Sequence, residues 1–143
     1  MGKIISINIS DEKGTTKKPV SEAMVFENYG IDGDAHAGSH WHRQISLLSH
    51  ESIKKMKDKG LNLNYGDFAE NITTEGIDLL KIPLGTKLQI GEVILEITQH
   101  GKRCHSKCEI FKVVGDCIMP REGVFARVLK GGKIKIGDYI IKL

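Results

Sequence analysis

The 143-residue sequence predicts a mainly β fold, a closed or nearly closed β-barrel with one or two short helices, in a single domain spanning residues 1–143. Three observations carry this. Ile5, Ile7 and Ile9 alternate with Ser6 and Asn8, the period of a half-buried strand. Two eleven-residue pieces, GTKLQIGEVIL from Gly85 and GGKIKIGDYII from Gly131, share an apolar rhythm. Each carries a Gly-X pair, Gly91-Glu92 or Gly137-Asp138, suited to a hairpin turn. Finally, strand-like runs are short throughout, and one stretch alone has clear helical signals.

In chain order, the first strand is followed by a polar loop over residues 11–19 and a second strand over residues 23–26. Residues 29–38, YGIDGDAHAG, hold three glycines, which implies positive φ or close approach of the backbone to a neighbour. His36, His40 and His42 follow one another, then Arg43. A strand over residues 44–48 leads to the helix. Ser49 is a good N-cap, Ile53 and Met56 share a face, and Gly60 suits the position after the last turn, so a helix spans residues 49–59. Lys54, Lys55 and Lys57 give it a solvated side. Residues 66–76, GDFAENITTEG, read as a polar loop, and the two hairpins complete the chain.

Composition narrows the function. The sequence is 40% apolar and 27% charged, with 21 basic and 18 acidic residues for a net charge of +3. This excess is too small for a nucleic-acid surface and accompanies no long basic run, yet it suits an anionic ligand. No apolar run reaches the ~18–20 residues of a membrane span, and the N-terminus lacks the apolar block of a signal peptide. Three cysteines without an export signal point to the reducing cytoplasm.

All three cysteines, Cys104, Cys108 and Cys117, fall within residues 98–128. Lys102, Arg103 and Lys107 crowd the first two. Ser106-Lys107-Cys108-Glu109 has the form of a capping box, and Gly115 is a stop, so a short helix is expected over residues 107–114. Nearby cations and a helix N-terminus both favour thiolate over thiol, which marks Cys104 and Cys108 as reactive sulfur. Cys117, beside Ile118 and Met119, reads instead as a small buried apolar residue. A structural zinc site is the competing reading of the C-x3-C pair, though no second tight pair accompanies it.

Four blocks then resemble a known family: GDAHAGSHWHRQISLLSHES from Gly33, GDFAENITTEGIDL from Gly66, LGTKLQIGEVILEITQHGKRCH from Leu84, and GDCIMPREGVFARVLKGGKIKIGD from Gly115. They are similar to the molybdenum cofactor sulfurase C-terminal (MOSC) domain in its short, stand-alone bacterial form. Ala69 departs from the pattern, standing where such proteins often carry glycine. The resemblance implies a barrel of the MOSC/pyruvate-kinase-barrel-like type that handles sulfur and the molybdenum cofactor (molybdopterin). A cysteine would carry sulfur as a persulfide or ligate molybdenum. Thr98-Gln99 followed by Cys104 matches that position best, and Cys108 also matches.

On this reading the catalytic candidates are Cys104, Cys108 and His36, with Cys104 the metal ligand. Lys102 and Arg103 stabilise the thiolate, and Asp34 either orients His36 or satisfies loop amides. Arg43 is the candidate for the pterin phosphate, ahead of Arg121 and Arg127, for which surface ion pairing is the simpler reading. Glu70 and Asn71 line the same pocket or serve its turn. His40 and His42 have metal-ligand reach on a strand, but read more simply as exposed rings flanking Trp41. The expected partners are a cysteine desulfurase or other sulfur donor, which would hold the pyridoxal phosphate, together with cofactor-biosynthesis proteins or molybdoenzymes. Two other functions stand beside the sulfur carrier: a molybdenum-dependent reductase of N-hydroxylated compounds, and a zinc-stabilised, non-enzymatic binding module. In all three, the loops at residues 30–38 and 66–71 are expected to meet near Cys104 and form one pocket.

Overall fold

The computed structural model describes residues 2–13, 15–101 and 118–143. Lys102, Arg103, Cys104, Cys108, Cys117 and the helix expected over residues 107–114 lie outside the described residues.

Seven strands close into a barrel: β1 (Gly2–Ile9), β11 (Tyr139–Lys142), β7 (Lys87–Ile90), β8 (Val93–His100), β9 (Val124–Lys130), β5 (Ile45–Ser49) and β6 (Ile72–Glu75), which returns to β1. A short edge strand, β2 (Lys18–Val20), adds to β1 beyond the end that pairs with β11. A second sheet holds β10 (Gly132–Lys135), β3 (Glu22–Phe26) and β4 (Gly30–Ile31) in that order. Within the barrel the pairs are antiparallel except β5 with β6. A parallel pair needs a crossover. Here α1 (His50–Asp58) and the segment after it supply that crossover.

The barrel interior is aliphatic. Ile4, Ile7, Ile45, Leu47, Ile72, Leu88, Leu95, Ile97 and Ile140 are fully buried, and Val25, Ile31 and Ile134 of the small sheet join the same cluster. A second cluster lies between α1 and the barrel wall, where Ile53 and Met56 meet Leu48, Phe68, Ile118, Met119 and Phe125. The helix forms as its sequence dictates. Ser49 accepts the Ser52 amide at 3.0 Å, and Ser52, Ile53 and Met56 form the buried stripe. Gly60 ends it at φ +95°. A second, one-turn helix, α2 (Met119–Glu122), precedes β9.

Four expectations are corrected. The first strand does not present Ile5, Ile7 and Ile9 as one face. A register shift between Ile4 and Ser6 changes the phase, so Ile4 and Ile7 enter the core while Ser6 and Asn8 are buried on the other side. The loop of residues 66–76 ends at Asn71, because Ile72–Glu75 is β6, a barrel strand with Thr73 and Thr74 fully buried. The loop of residues 11–19 is not wholly exposed, since Lys17 is buried and Pro19 sits in edge strand β2. Only the first hairpin is a hairpin. β7 pairs with β8 across Gly91-Glu92, whereas β10 pairs with β3 and β11 pairs with β7 and β1. The Lys135 amide bonds Asp138 at 2.9 Å and Gly137 takes φ +95°, so the chain turns a corner there from one sheet into the other.

Candidate functional site

Residues 28–44 leave the small sheet and return to the barrel at β5, and Gln44 holds this loop in place. Its buried side chain reaches Asn28 Oδ1 at 3.0 Å and the Trp41 carbonyl at 3.1 Å, and accepts the Val128 amide of β9 at 2.9 Å. Trp41 Nε1 donates to the His36 carbonyl at 3.0 Å. The rings of His36 and His40 each lie nearly parallel to Trp41, with centroids 6.2 and 5.6 Å from it. A Cβ at Gly38 would run into the His40 ring, so any side chain there would displace that ring from its place beside Trp41. Arg43 lies between two aromatic faces, with its guanidinium carbon 4.8 Å from the Trp41 ring and 5.5 Å from Phe125. Such stacking fixes the plane of the fork while leaving its N–H edge able to bind an anion.

Beneath the loop sits a buried ion pair. Lys17 Nζ donates to Asp34 Oδ1 at 2.7 Å, and both side chains are shut off from solvent. Asp34 also accepts the amides of Ser10 and His36, at 3.2 and 3.1 Å. Asp34 therefore organises the loop backbone, the simpler of its two expected roles, and it also sits one bond from His36. Lys17 Nζ is 3.1 Å from His36 Nδ1.

The second loop approaches from the other side. Gly66, at φ +92°, passes so close to the Lys17 carbonyl that a Cβ would collide with it, and the Lys17 amide donates to the Gly66 carbonyl at 2.8 Å. Ala69 occupies φ +64°, a left-handed conformation that favours glycine. Glu70 and Asn71 are fully buried and tie this loop to the barrel. Asn71 Oδ1 accepts the Ser46 amide at 2.9 Å, and Asn71 Nδ2 donates to the Asn8 carbonyl at 3.2 Å. Glu70 Oε2 accepts the Gly66 amide at 3.1 Å and the Thr73 hydroxyl at 2.9 Å, while Oε1 has no hydrogen-bond partner among the described residues. Burial pushes the Glu70 carboxyl up to about 7, against the opposing pull of the amides and hydroxyl around it.

The two loops meet. His36 and Arg43 from the first, and Phe68 and Ala69 from the second, line one hollow with Ser46, Met119 and Phe125. It is small, about 20 Å³, enough to seat one group of a ligand. The flanks of the cysteine segment are fixed at the same part of the fold. Met119 lines the hollow, Ile118 packs with Phe68 and Phe125, and the Gly101 amide donates to the Gly123 carbonyl at 2.6 Å. A larger cavity, about 460 Å³, lies between α1 and a 3-10 turn, Leu79–Lys81, but its acidic groups are paired, Asp78 with Lys81 at 3.7 Å. Glu51 accepts the Gly76 amide, and Glu122 accepts from Ser52 and Lys55.

The remaining candidates separate. Arg127 makes a surface ion pair with Glu96 at 2.6 Å. His40 and His42 are exposed, and His42 Nδ1 lies 2.8 Å from Thr98 Oγ1 on β8. Among the described residues no three histidines, cysteines or carboxylates gather as a metal site. No helix among them is long and apolar enough to cross a membrane. Lys17 and Gln44, which fix His36 and the loop, had no signal in the sequence: one is half of a Lys-Lys pair in a polar stretch, the other opens a strand. Their buried polar partners come from distant parts of the chain.

No curated protein matches the sequence. Among solved structures the chain is similar to the YUAD protein from Bacillus subtilis, with TM-score 0.80 and 20% identity over 98% of this chain and 94% of that one. It is similar also to YiiM from Geobacillus stearothermophilus, with TM-score 0.77 and 20% identity over 100% of this chain and 75% of the other. YiiM from Escherichia coli gives TM-score 0.71 and 17% identity over 100% and 70%. These likenesses concern the fold. The MOSC domain family model matches residues 32–141, from the loop that carries His36 and Arg43 to the last barrel strand, and the chain belongs to the MOSC domain family.

Proposed function

We propose that this protein is a molybdenum-cofactor-binding domain that carries sulfur, or ligates molybdenum, through Cys104. The observation that supports it best is Arg43, held in plane between Trp41 and Phe125 at a hollow shared with His36. These residues fit a planar, phosphorylated ligand. Arg43 offers a fork for phosphate oxygens, the hollow seats a single group, and the exposed His40 ring with Trp41 offers a face for a flat heterocycle. When bound, the cofactor supplies a soft metal centre suited to thiolate ligation. The protein's own step is thiol chemistry. The Cys104 thiolate attacks the outer sulfur of a donor persulfide, the S–S bond breaks, and the donor leaves as its thiolate. Sulfur moves without net oxidation, and Cys104 ends as the persulfide. Lys102 and Arg103, adjacent in sequence, favour the thiolate form needed for attack.

The test has two arms. Titration calorimetry with isolated molybdenum cofactor should show Arg43→Ala binding about 10- to 100-fold more weakly, with Arg43→Lys recovering part of the loss. Intact mass after exposure to a cysteine desulfurase and cysteine should rise by one sulfur, and Cys104→Ser should abolish the gain. A gain that survives Cys104→Ser but vanishes in Cys108→Ser would move the role to Cys108. No gain in any variant would remove the carrier function. Turnover of a hydroxylamine substrate would make the protein a reductase instead.

A further inference from the structure

We propose that Lys17 is a positioning residue that fixes His36 in the neutral tautomer with its proton on Nε2, so that His36 meets the hollow as a hydrogen-bond donor. The argument begins with what each group can do. An ammonium has hydrogens to give and no lone pair, so the nitrogen it contacts must accept. Lys17 Nζ lies 3.1 Å from His36 Nδ1, and its pairing with Asp34 at 2.7 Å keeps it an ammonium. Nδ1 must therefore carry the lone pair, and the ring proton belongs to Nε2. An imidazolium, or the other tautomer, would point an N–H at the ammonium.

The arrangement is built to persist. Lys17 is 2% exposed, and Ser10 Oγ at 3.2 Å takes another of its hydrogens. Its backbone is held by the Gly66 carbonyl, and the His36 backbone by Asp34 Oδ2 and Trp41 Nε1. Lys17 cannot rotate away without breaking its buried bond to Asp34, and a turn of the His36 ring gives up the contact with Lys17. Nε2 is the remaining ring nitrogen of a residue that lines the hollow. A ring in this state does not take a proton from a ligand through Nε2. It holds one toward an acceptor such as an anionic oxygen or sulfur. His36 thus acts as donor rather than base, and residues 66–71 set its state through Gly66 and Lys17.

The inference rests on the cofactor reading only for what the Nε2 proton meets. It is tested on the unliganded protein, so a wrong cofactor leaves the result standing. Long-range proton–nitrogen correlation spectra of histidine-labelled protein at neutral pH report which nitrogen of His36 is protonated. The expected result is a protonated Nε2 and a bare Nδ1. A proton on Nδ1 in the wild type overturns the proposal at once. In Lys17→Met the ammonium that obliges Nδ1 to accept is gone, so Nδ1 should gain a proton in part of the population. If that variant does not fold, Lys17→Met with Asp34→Asn removes both charges together, and the ring should lose its fixed tautomer. An unchanged Nε2–H state in either folded variant overturns the proposal.

Discussion

Replacing Glu70 by glutamine should abolish a pH dependence of stability that the buried carboxyl imposes on the fold. Burial raises the group from 4.5 to about 7, because its charged form has lost water and the amides and hydroxyl around it only partly offset that loss. Between these values the unfolded chain has released the proton and the folded protein still holds it. The folded state binds more protons, so stability falls as pH rises through this window and levels off above it. A shift of this size corresponds to about 3 kcal/mol, a large part of the 5–15 kcal/mol that holds a typical domain together. Glutamine keeps one oxygen to accept from Gly66 and Thr73 and cannot ionise. Urea unfolding of both proteins at about pH 5, 6, 7 and 8 cancels every other titrating group in the difference. The stability of Glu70→Gln relative to wild type should climb by roughly 2–3 kcal/mol from the lowest pH to the highest. Parallel curves would mean that the carboxyl ionises in the fold as easily as in water, and the burial argument would fail.

Lys17→Met should cost roughly 3–5 kcal/mol in denaturant unfolding, because it strands the Asp34 carboxylate, while the double change with Asp34→Asn should cost clearly less. Additive losses would contradict this. Ala69→Val should lose roughly 2–3 kcal/mol by thermal unfolding, since a β-branched residue is strained at φ +64° and its added bulk enters a packed cluster. Ala69→Gly should change stability by less than about 1 kcal/mol, because relief of the left-handed strain offsets the lost methyl. Ser49→Ala should lower stability by about 1 kcal/mol, and Ser49→Asp should restore most of it, as expected for an N-cap.

How far the sequence was legible depended on whether the information was local. The helix with its Ser49 cap and the Gly91-Glu92 hairpin could be read because short-range patterns specify them. β6 could not, since Thr73 and Thr74 look polar in the text while their β-branched shapes suit a buried barrel wall. The phase of β1 was lost to one register shift, which no alternation can announce. The resemblance of Gly131–141 to the first hairpin was real at the level of rhythm, but the partner of a strand is chosen by the whole sheet. At the site, Arg43 and His36 stood out as candidates by residue type and motif, and both line the hollow. Lys17 was not, because a lysine in a hydrophilic stretch gives no sign of a carboxylate brought from 17 positions away.

The barrel is closed by its first and last strands, with Gly2 opposite Ile140 and Lys3 opposite Tyr139. The ring therefore stays open until β11 is in place, leaving β7 and the Gly2–Lys3 end of β1 as unpaired edges for any neighbouring chain. The same seam brings the start of β1 and the end of β11 side by side. A short linker across it, with new ends cut at the Gly91-Glu92 turn, would preserve every strand pair while reordering assembly, so that the old seam forms early as a local hairpin.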